Sequence, residues 1–384
     1  MRRSVAGIFL LFISFGCVDR LYYDVPAISS FGISISGHVS DQPGPYRVSI
    51  FRTFDIDSKD NIKTGVTANS VVISDNEGHS ETLSQVQSGV YETKSDGMRG
   101  KVGGVYKVRV ELADGRTYES DPDTLPKGGA IDSVYHKMVG RPTVSGYVYE
   151  FHVYANSSVE PGQDETYFSW TNKTTYKAET KPLEEMGEPP YLRSPCYRRP
   201  DNVCNFVAPC SGYDNLGSTR FPDLQYTGPC TCCICWYDQY SQGVLLSDGF
   251  ITTGGKYRDV LVDRVELTGW LMMFKARFEV SMQSLSPRAY KFWKAVRDQR
   301  SATNSLFQPL SGKIAGNINQ VGGVDTPVFG VFYATAVTAK AFYISRGDFD
   351  ISIIPTVDFP GAGAFPCYKL APYSVTTAPS FWID

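Results

Sequence analysis

Tyr106-Lys107-Val108-Arg109-Val110-Glu111-Leu112, followed by Asp114-Gly115 and then Thr117-Tyr118, decides the fold class of this chain. Apolar side chains at 106, 108, 110 and 112 alternate with charged ones at 107, 109 and 111. Successive side chains of an extended strand point to opposite faces, so this pattern puts one face on a core and the other in water. Asp-Gly between two such runs is a strong two-residue hairpin signal. The same alternation recurs upstream, with Ile33, Ile35, Gly37 and Val39 set against Ser34, Ser36 and His38. Tyr46 to Ile50 repeats it after a Pro43-Gly44 turn, and shorter strand patterns fall at 70–74, 81–83 and 90–93. About seven short strands with turn signals between them predict an immunoglobulin-like β-sandwich over residues 31–122. No cysteine lies in this stretch, so the reading rests on the pattern alone.

Asp121-Pro122-Asp123-Thr124-Leu125-Pro126-Lys127-Gly128-Gly129 has the composition of a linker. Beyond it a larger β-rich domain is expected over 131–384. Its strands are predicted at 147–155, 166–171, 272–282, 328–336 and 341–345. One amphipathic helix is expected after Ser286, which can cap it, and Pro287, which suits a first turn. Ala289, Phe292, Trp293 and Val296 recur at helical spacing, a stripe that packs a helix onto a sheet. The fold class is therefore mainly β: a sandwich, then a larger β domain with one helix and a disulfide-dense insertion.

Composition agrees. Aromatics make up 13% of the 384 residues, with 35 Gly and 23 Pro, a balance that suits sandwiches and barrels more than helical bundles. Net charge is −3, which gives no basic field for nucleic acid.

The N-terminus reads as an export address. Arg2 and Arg3 precede an apolar run from Ala6 to Gly16, about half the ~20 residues that a spanning helix needs. Ser14-Phe15-Gly16-Cys17 resembles the lipobox of bacterial lipoproteins. That implies a signal peptide over 1–16, a diacylglyceryl group on Cys17 and a tether over 17–30 leading to a membrane.

Of nine cysteines, removal of Cys17 leaves Cys196, Cys204, Cys210, Cys230, Cys232, Cys233, Cys235 and Cys367, an even number. Seven crowd into 196–235. In an exported protein such crowding reads as a local disulfide framework whose connectivity the sequence does not give. A zinc site is the alternative, but structural zinc favours two separated cysteine pairs. On a strand, Cys233 and Cys235 would face one way and Cys232 the other, which favours separate disulfide partners. Cys367 is expected to pin a Pro- and aromatic-rich tail to the cluster. No metal and no cofactor are expected.

Catalytic motifs are missing: there is no Gly-x-Ser-x-Gly and no His-Glu-x-x-His. His38, His79, His136 and His152 are scattered along the chain, and no catalytic residue is assigned.

Several stretches resemble one family. In the first half they are Ser40 to Val48, Gly89-Val90-Tyr91-Glu92-Thr93 and Gly104 to Val110. In the second they are Ala289 to Trp293, Leu306-Phe307-Gln308-Pro309, Gly316-Asn317-Ile318 and Val328 to Phe332. The family is the group of Bacteroidota lipoproteins carrying the domain of unknown function 4249. The resemblance implies an outer-membrane lipoprotein found beside TonB-dependent transporters that import nutrients. Surface display in that phylum follows acidic residues after the lipid cysteine, and Val18-Asp19-Arg20 offers one. Asp123-Thr124-Leu125 and Asp132-Ser133-Val134 resemble the phylum's O-glycosylation tripeptide, which marks Thr124 and Ser133. The expectation is a non-enzymatic binding or accessory protein, held to the membrane by lipid, whose partner is a transporter, a peptide or a glycan. The alternatives are a structural or assembly role in the envelope, or a hydrolase whose site forms only in three dimensions.

Overall fold

The structure is a computed structural model that describes residues 32–53, 64–144, 146–160, 167–180, 210, 212–215, 224–250, 254–302, 314–323, 328–355, 367 and 374–383. Among the described residues the chain is mainly β, with one α-helix, Pro287–Ala302.

Alternation builds the first sandwich. Val105–Leu112 buries Tyr106, Val108, Val110 and Leu112 and leaves Arg109 and Glu111 exposed. It turns through Asp114-Gly115 into Thr117–Ser120, with Gly115 at φ +87°, a conformation that glycine adopts without steric cost. One sheet runs Ile318–Val321, Thr117–Ser120, Val105–Leu112, Ala68–Asp75, Ser80–Thr82. The facing sheet runs Val328–Phe329, Ile33–Ser40, Arg47–Arg52, Val90–Glu92, Ser84–Gln87. The core between them takes Ile35, Val48, Ile50 and Ile73 from the first hundred residues, and Ile318, Phe332 and Ala334 from far downstream.

The sandwich is thus completed by the distal part of the chain. Val328–Phe329 and Phe332–Thr335 both run parallel to Ile33–Ser40. The strand expected over 328–336 is interrupted at Gly330, at φ +99°, where a Cβ would lie 2.1 Å from the carbonyl oxygen of Ile35. Buried Asn317 fastens this return. Its Nδ2 donates to the carbonyl of Phe332 at 2.7 Å, and its Oδ1 accepts from the Phe332 N–H at 2.9 Å. The stretch 121–129 is not a loose linker: Asp123–Thr124 pairs with Val105–Leu112, and Leu125 is fully buried in the first core. Two apolar or desolvated side chains in an otherwise polar, Pro- and Gly-rich run are enough to seat it.

The second body faces a three-stranded sheet, Ala130–Thr143, Gly146–Ser158 and Lys256–Glu266, against a larger one. The larger sheet runs Ile234–Tyr240, Tyr167–Glu179, Lys275–Leu285, Val337–Ser345, with Leu245–Leu246 also paired to Tyr167–Glu179. Inward residues alternate along each strand: Phe151, Val153 and Ala155 meet Phe168, Trp170, Phe278 and Val280. The strand expected from Met272 begins at Lys275, because Thr268 turns the chain: Leu271 N donates to its Oγ1 at 3.1 Å and Met272 N to its carbonyl at 3.1 Å. Ala289, Tyr290, Phe292 and Trp293 of the helix pack on Leu246, Leu285, Val331 and Tyr333.

Candidate functional site

Cys17, Cys196 and Cys204 lie outside the described residues, as do the signal peptide, the tether and Leu306 to Pro309. The remaining cysteines are joined Cys210–Cys232, Cys230–Cys233 and Cys235–Cys367. Neighbours in the Cys232-Cys233-Ile234-Cys235 run therefore take separate partners. Thr124 is exposed on its short strand. Ser133 is half-buried, and its hydroxyl accepts from Asn156 Nδ2 at 2.9 Å.

The histidines stay apart. His79 pairs with Asp75 and His152 with Glu150. His38 stacks on Tyr333, and His136 stacks on Phe342. Asp75, Glu77 and His79 each present a ligand atom within 4.8 Å of one another on an exposed hairpin. Asp75 Oδ1 already closes that turn by accepting from the N–H groups of Glu77 and His79, each at 2.9 Å.

A concave site among the described residues lies between the end of the helix and the loop after Ile234–Tyr240. It encloses about 360 Å³. Trp170 forms part of its wall because it sits on the inward face of Tyr167–Glu179. Its Nε1 donates to Ser157 Oγ at 3.1 Å, and Phe250 and Tyr257 meet its ring edge to face. Val244, Leu245 and Val262 add apolar wall; Ser241, Gln242, Arg297, Arg300 and Ser301 add polar groups. Ser241 is tied to Asn172 twice: Asn172 N donates to Ser241 Oγ at 3.1 Å, and Ser241 N to the Asn172 carbonyl at 2.8 Å. Gly243, at φ +100°, lets the loop turn back along Tyr167–Glu179. Behind the loop, Asn172 Nδ2 donates to Thr174 Oγ1 at 2.9 Å and Asp263 Oδ2 at 3.0 Å. Burial pushes the Asp263 carboxyl above the usual range.

Asp248 holds the cleft's two sides together. Arg297 Nη1 donates to its Oδ1 at 2.6 Å and Nη2 to its Oδ2 at 3.0 Å, while Lys294 Nζ reaches Oδ2 at 3.2 Å. The Arg297 hydrogen bonds hold the Asp248 carboxyl far below the usual range. Tyr290, desolvated and hydrogen-bonded to Asp248, is pushed up to about 12. Asp248→Asn is expected to lower stability by about 1–2 kcal/mol near neutral pH, because a bidentate, charge-assisted pair is lost. A carboxylate with a depressed folded pKa stabilises above its unfolded value and loses that contribution as pH falls toward the folded one. The gap between variant and wild type should therefore close under acid conditions. Urea unfolding at several pH values checks this, and a gap independent of pH would remove the ion pairs from the account.

Chemically, the cleft offers an apolar wall, hydroxyl and amide groups, and the side chains of Arg300 and of Arg297, the latter already paired with Asp248, the makings of a site for a small amphipathic ligand. Among the described residues, its lining includes no carboxylate or imidazole beside Ser241 or Ser301. The sequence signalled Trp170 and the helix as elements but gave no sign that the 241–246 loop would bring them together. Among the described residues, no helix is long and apolar enough to cross a membrane.

A family model described as Domain of unknown function (DUF4249) matches residues 19–341. A search of curated proteins finds no match. The chain belongs to the DUF4249 family.

Proposed function

We propose that this member of the DUF4249 family is a lipid-anchored, non-enzymatic binding or accessory protein of the outer membrane, working beside a TonB-dependent transporter. The carrying observation is the cleft at Trp170, Arg297 and Arg300, whose apolar wall and polar groups suit capture of a ligand. Lipid attachment at Cys17 rests on the lipobox-like Ser14-Phe15-Gly16-Cys17 and on the even number of cysteines that remains. Two acyl chains give stable anchoring where one gives reversible binding.

Two measurements test the reading separately. Cys17→Ser is expected to move the protein from the membrane fraction to the soluble fraction and to abolish incorporation of labelled palmitate. Retention of both properties would end the lipidation claim. Affinity purification of the tagged wild type from solubilised outer membranes is expected to bring down a TonB-dependent barrel. Recovery of the lipoprotein alone would remove the accessory role.

A further inference from the structure

The outer face of the larger sheet in the second body carries side chains that neither the core nor the cleft uses. Opposite the inward Trp170, Phe278 and Ile344, the strands present Lys173, Lys275 and Arg277 together with Trp236, Tyr240 and Tyr343. Cations alternate with aromatic rings across it. Lys173 is matched by Asp238 at 2.9 Å and Arg277 by Glu279.

The segment 374–383 lies across this face. Its backbone adds to the edge of Ile234–Tyr240 through one antiparallel bridge. Val375 N donates to the Trp236 carbonyl at 3.0 Å, and Trp236 N to the Val375 carbonyl at 2.8 Å. Thr376, Thr377 and Ala378 then run exposed. Farther along, two adjacent rings dock. The Arg277 guanidinium lies 4.2 Å from the centre of the Phe381 ring, and Lys173 Nζ lies 5.7 Å from it. Lys275 Nζ lies 5.5 Å from the Trp382 ring, which also meets Trp236 and Tyr343 edge to face at 6.2 Å. Tyr343 donates its hydroxyl to the Phe381 carbonyl at 2.6 Å. Phe381 and Trp382 belong to none of the buried apolar clusters, so the segment is docked on a formed surface and does not build a core.

Backbone addition at a sheet edge combined with separate seats for side chains is the way extended peptides are recognised. Cations over aromatic rings supply the selectivity of the seats. We propose that this face is a recognition surface for an extended peptide bearing two adjacent aromatic side chains. Residues 374–383 occupy it in cis, and a segment of that chemistry on a partner protein takes it in trans by displacing them. The proposal is independent of the cleft and of the lipid anchor.

A chain ending at Tyr373, and the full chain carrying Phe381→Ala with Trp382→Ala, both empty the seats. A labelled synthetic peptide of residues 374–383, followed by fluorescence polarisation, is expected to saturate both. Binding to the unaltered chain should be at least about tenfold weaker, because its own segment competes at high effective concentration. Alanine at both aromatic positions of the peptide, or Arg277→Ala in either emptied chain, should weaken binding by about tenfold or more. Circular dichroism and thiol counting establish that the emptied chains keep their fold and disulfides. The proposal is overturned if folded, emptied chains fail to bind the peptide, or if the unaltered chain binds it equally well.

Discussion

Asp123→Ala is expected to lower the free energy of unfolding by about 3 kcal/mol, whereas Asp123→Asn is expected to be nearly neutral around pH 7. Asp123 is 5% exposed and joins three distant parts of the chain. Its own strand pairs with Val105–Leu112 in the first sandwich. Its Oδ2 accepts from the N–H of Ala334 at 2.9 Å, on a strand that returns beside Ile33–Ser40. Its Oδ1 accepts at 2.6 Å from the hydroxyl of Ser286. Ser286 Oγ in turn accepts from Ala289 N at 3.2 Å, the third helical position, so the carboxylate orients the helix cap. Alanine leaves a buried amide and a buried hydroxyl without their partner, each a desolvation cost with no return. Asparagine can accept from Ala334 and donate to Ser286, and it needs no buried charge.

The two variants also separate by pH. Burial is the largest influence on Asp123 and pushes its carboxyl above the usual range, against the Ser286 and Ala334 hydrogen bonds that favour ionisation. A raised folded pKa means that the native state binds its proton more tightly than the unfolded chain does. Wild-type stability from this group is therefore complete below the unfolded pKa and is lost as pH rises through the folded one. Asparagine has no such dependence. Urea unfolding at about pH 4 and about pH 7 should show Asp123→Asn gaining on wild type as pH rises. A constant difference, or an alanine variant as stable as wild type, would sink this account.

What the sequence disclosed depended on range. Strands with strict alternation, such as Val105–Leu112 and Ile33–Ser40, were legible because burial of one face is written into every second residue. The helix was legible because Ser286 and Pro287 are local start signals. Ala130–Thr143 was not, since Lys137 to Pro142 are exposed in succession and no face is marked by burial. Lys256–Glu266 was hidden by the register shifts in its pairing with Gly146–Ser158 and by Asp259, a non-glycine residue at φ +52°. The return of Ile318–Val321 and Phe332–Thr335 to the first sandwich was equally invisible, because pairing across most of the chain leaves no local period. The cleft follows the same rule. Trp170 reads as a strand residue and Arg297 as a helix-end cation, and only their tertiary placement around the 241–246 loop makes a site. Asp248, which holds that arrangement together, carries no motif.

Replacing Cys235 and Cys367 together with alanine is expected to cost about 5 kcal/mol, against about 2 kcal/mol for replacing Cys230 and Cys233. The difference comes from the unfolded chain. The first bridge joins residues 132 apart in sequence, so it removes far more unfolded-state freedom than the second, whose cysteines are 3 apart. The native state works in the same direction. Cys235 and Cys367 are fully buried with Ala178 and Tyr237, and the Tyr237 hydroxyl donates to the Cys367 carbonyl at 2.5 Å. Cys367 N also donates to the Cys232 carbonyl at 2.9 Å, which ties the distant residue to the backbone of the cysteine run. The consequence extends to the cleft and to the face that carries residues 374–383, because Cys235 lies in the strand Ile234–Tyr240. That strand leads into the cleft loop at Ser241 and offers Trp236 to the 374–383 segment. Loss of this bridge should therefore raise hydrogen exchange across 234–246 as well as lower the urea midpoint. Loss of Cys230–Cys233 should leave exchange over 236–246 close to wild type. Equal losses of stability from the two double variants would refute the loop-length argument. Unchanged exchange over 234–246 without the long bridge would show that the cleft loop is held by its strand pairing alone.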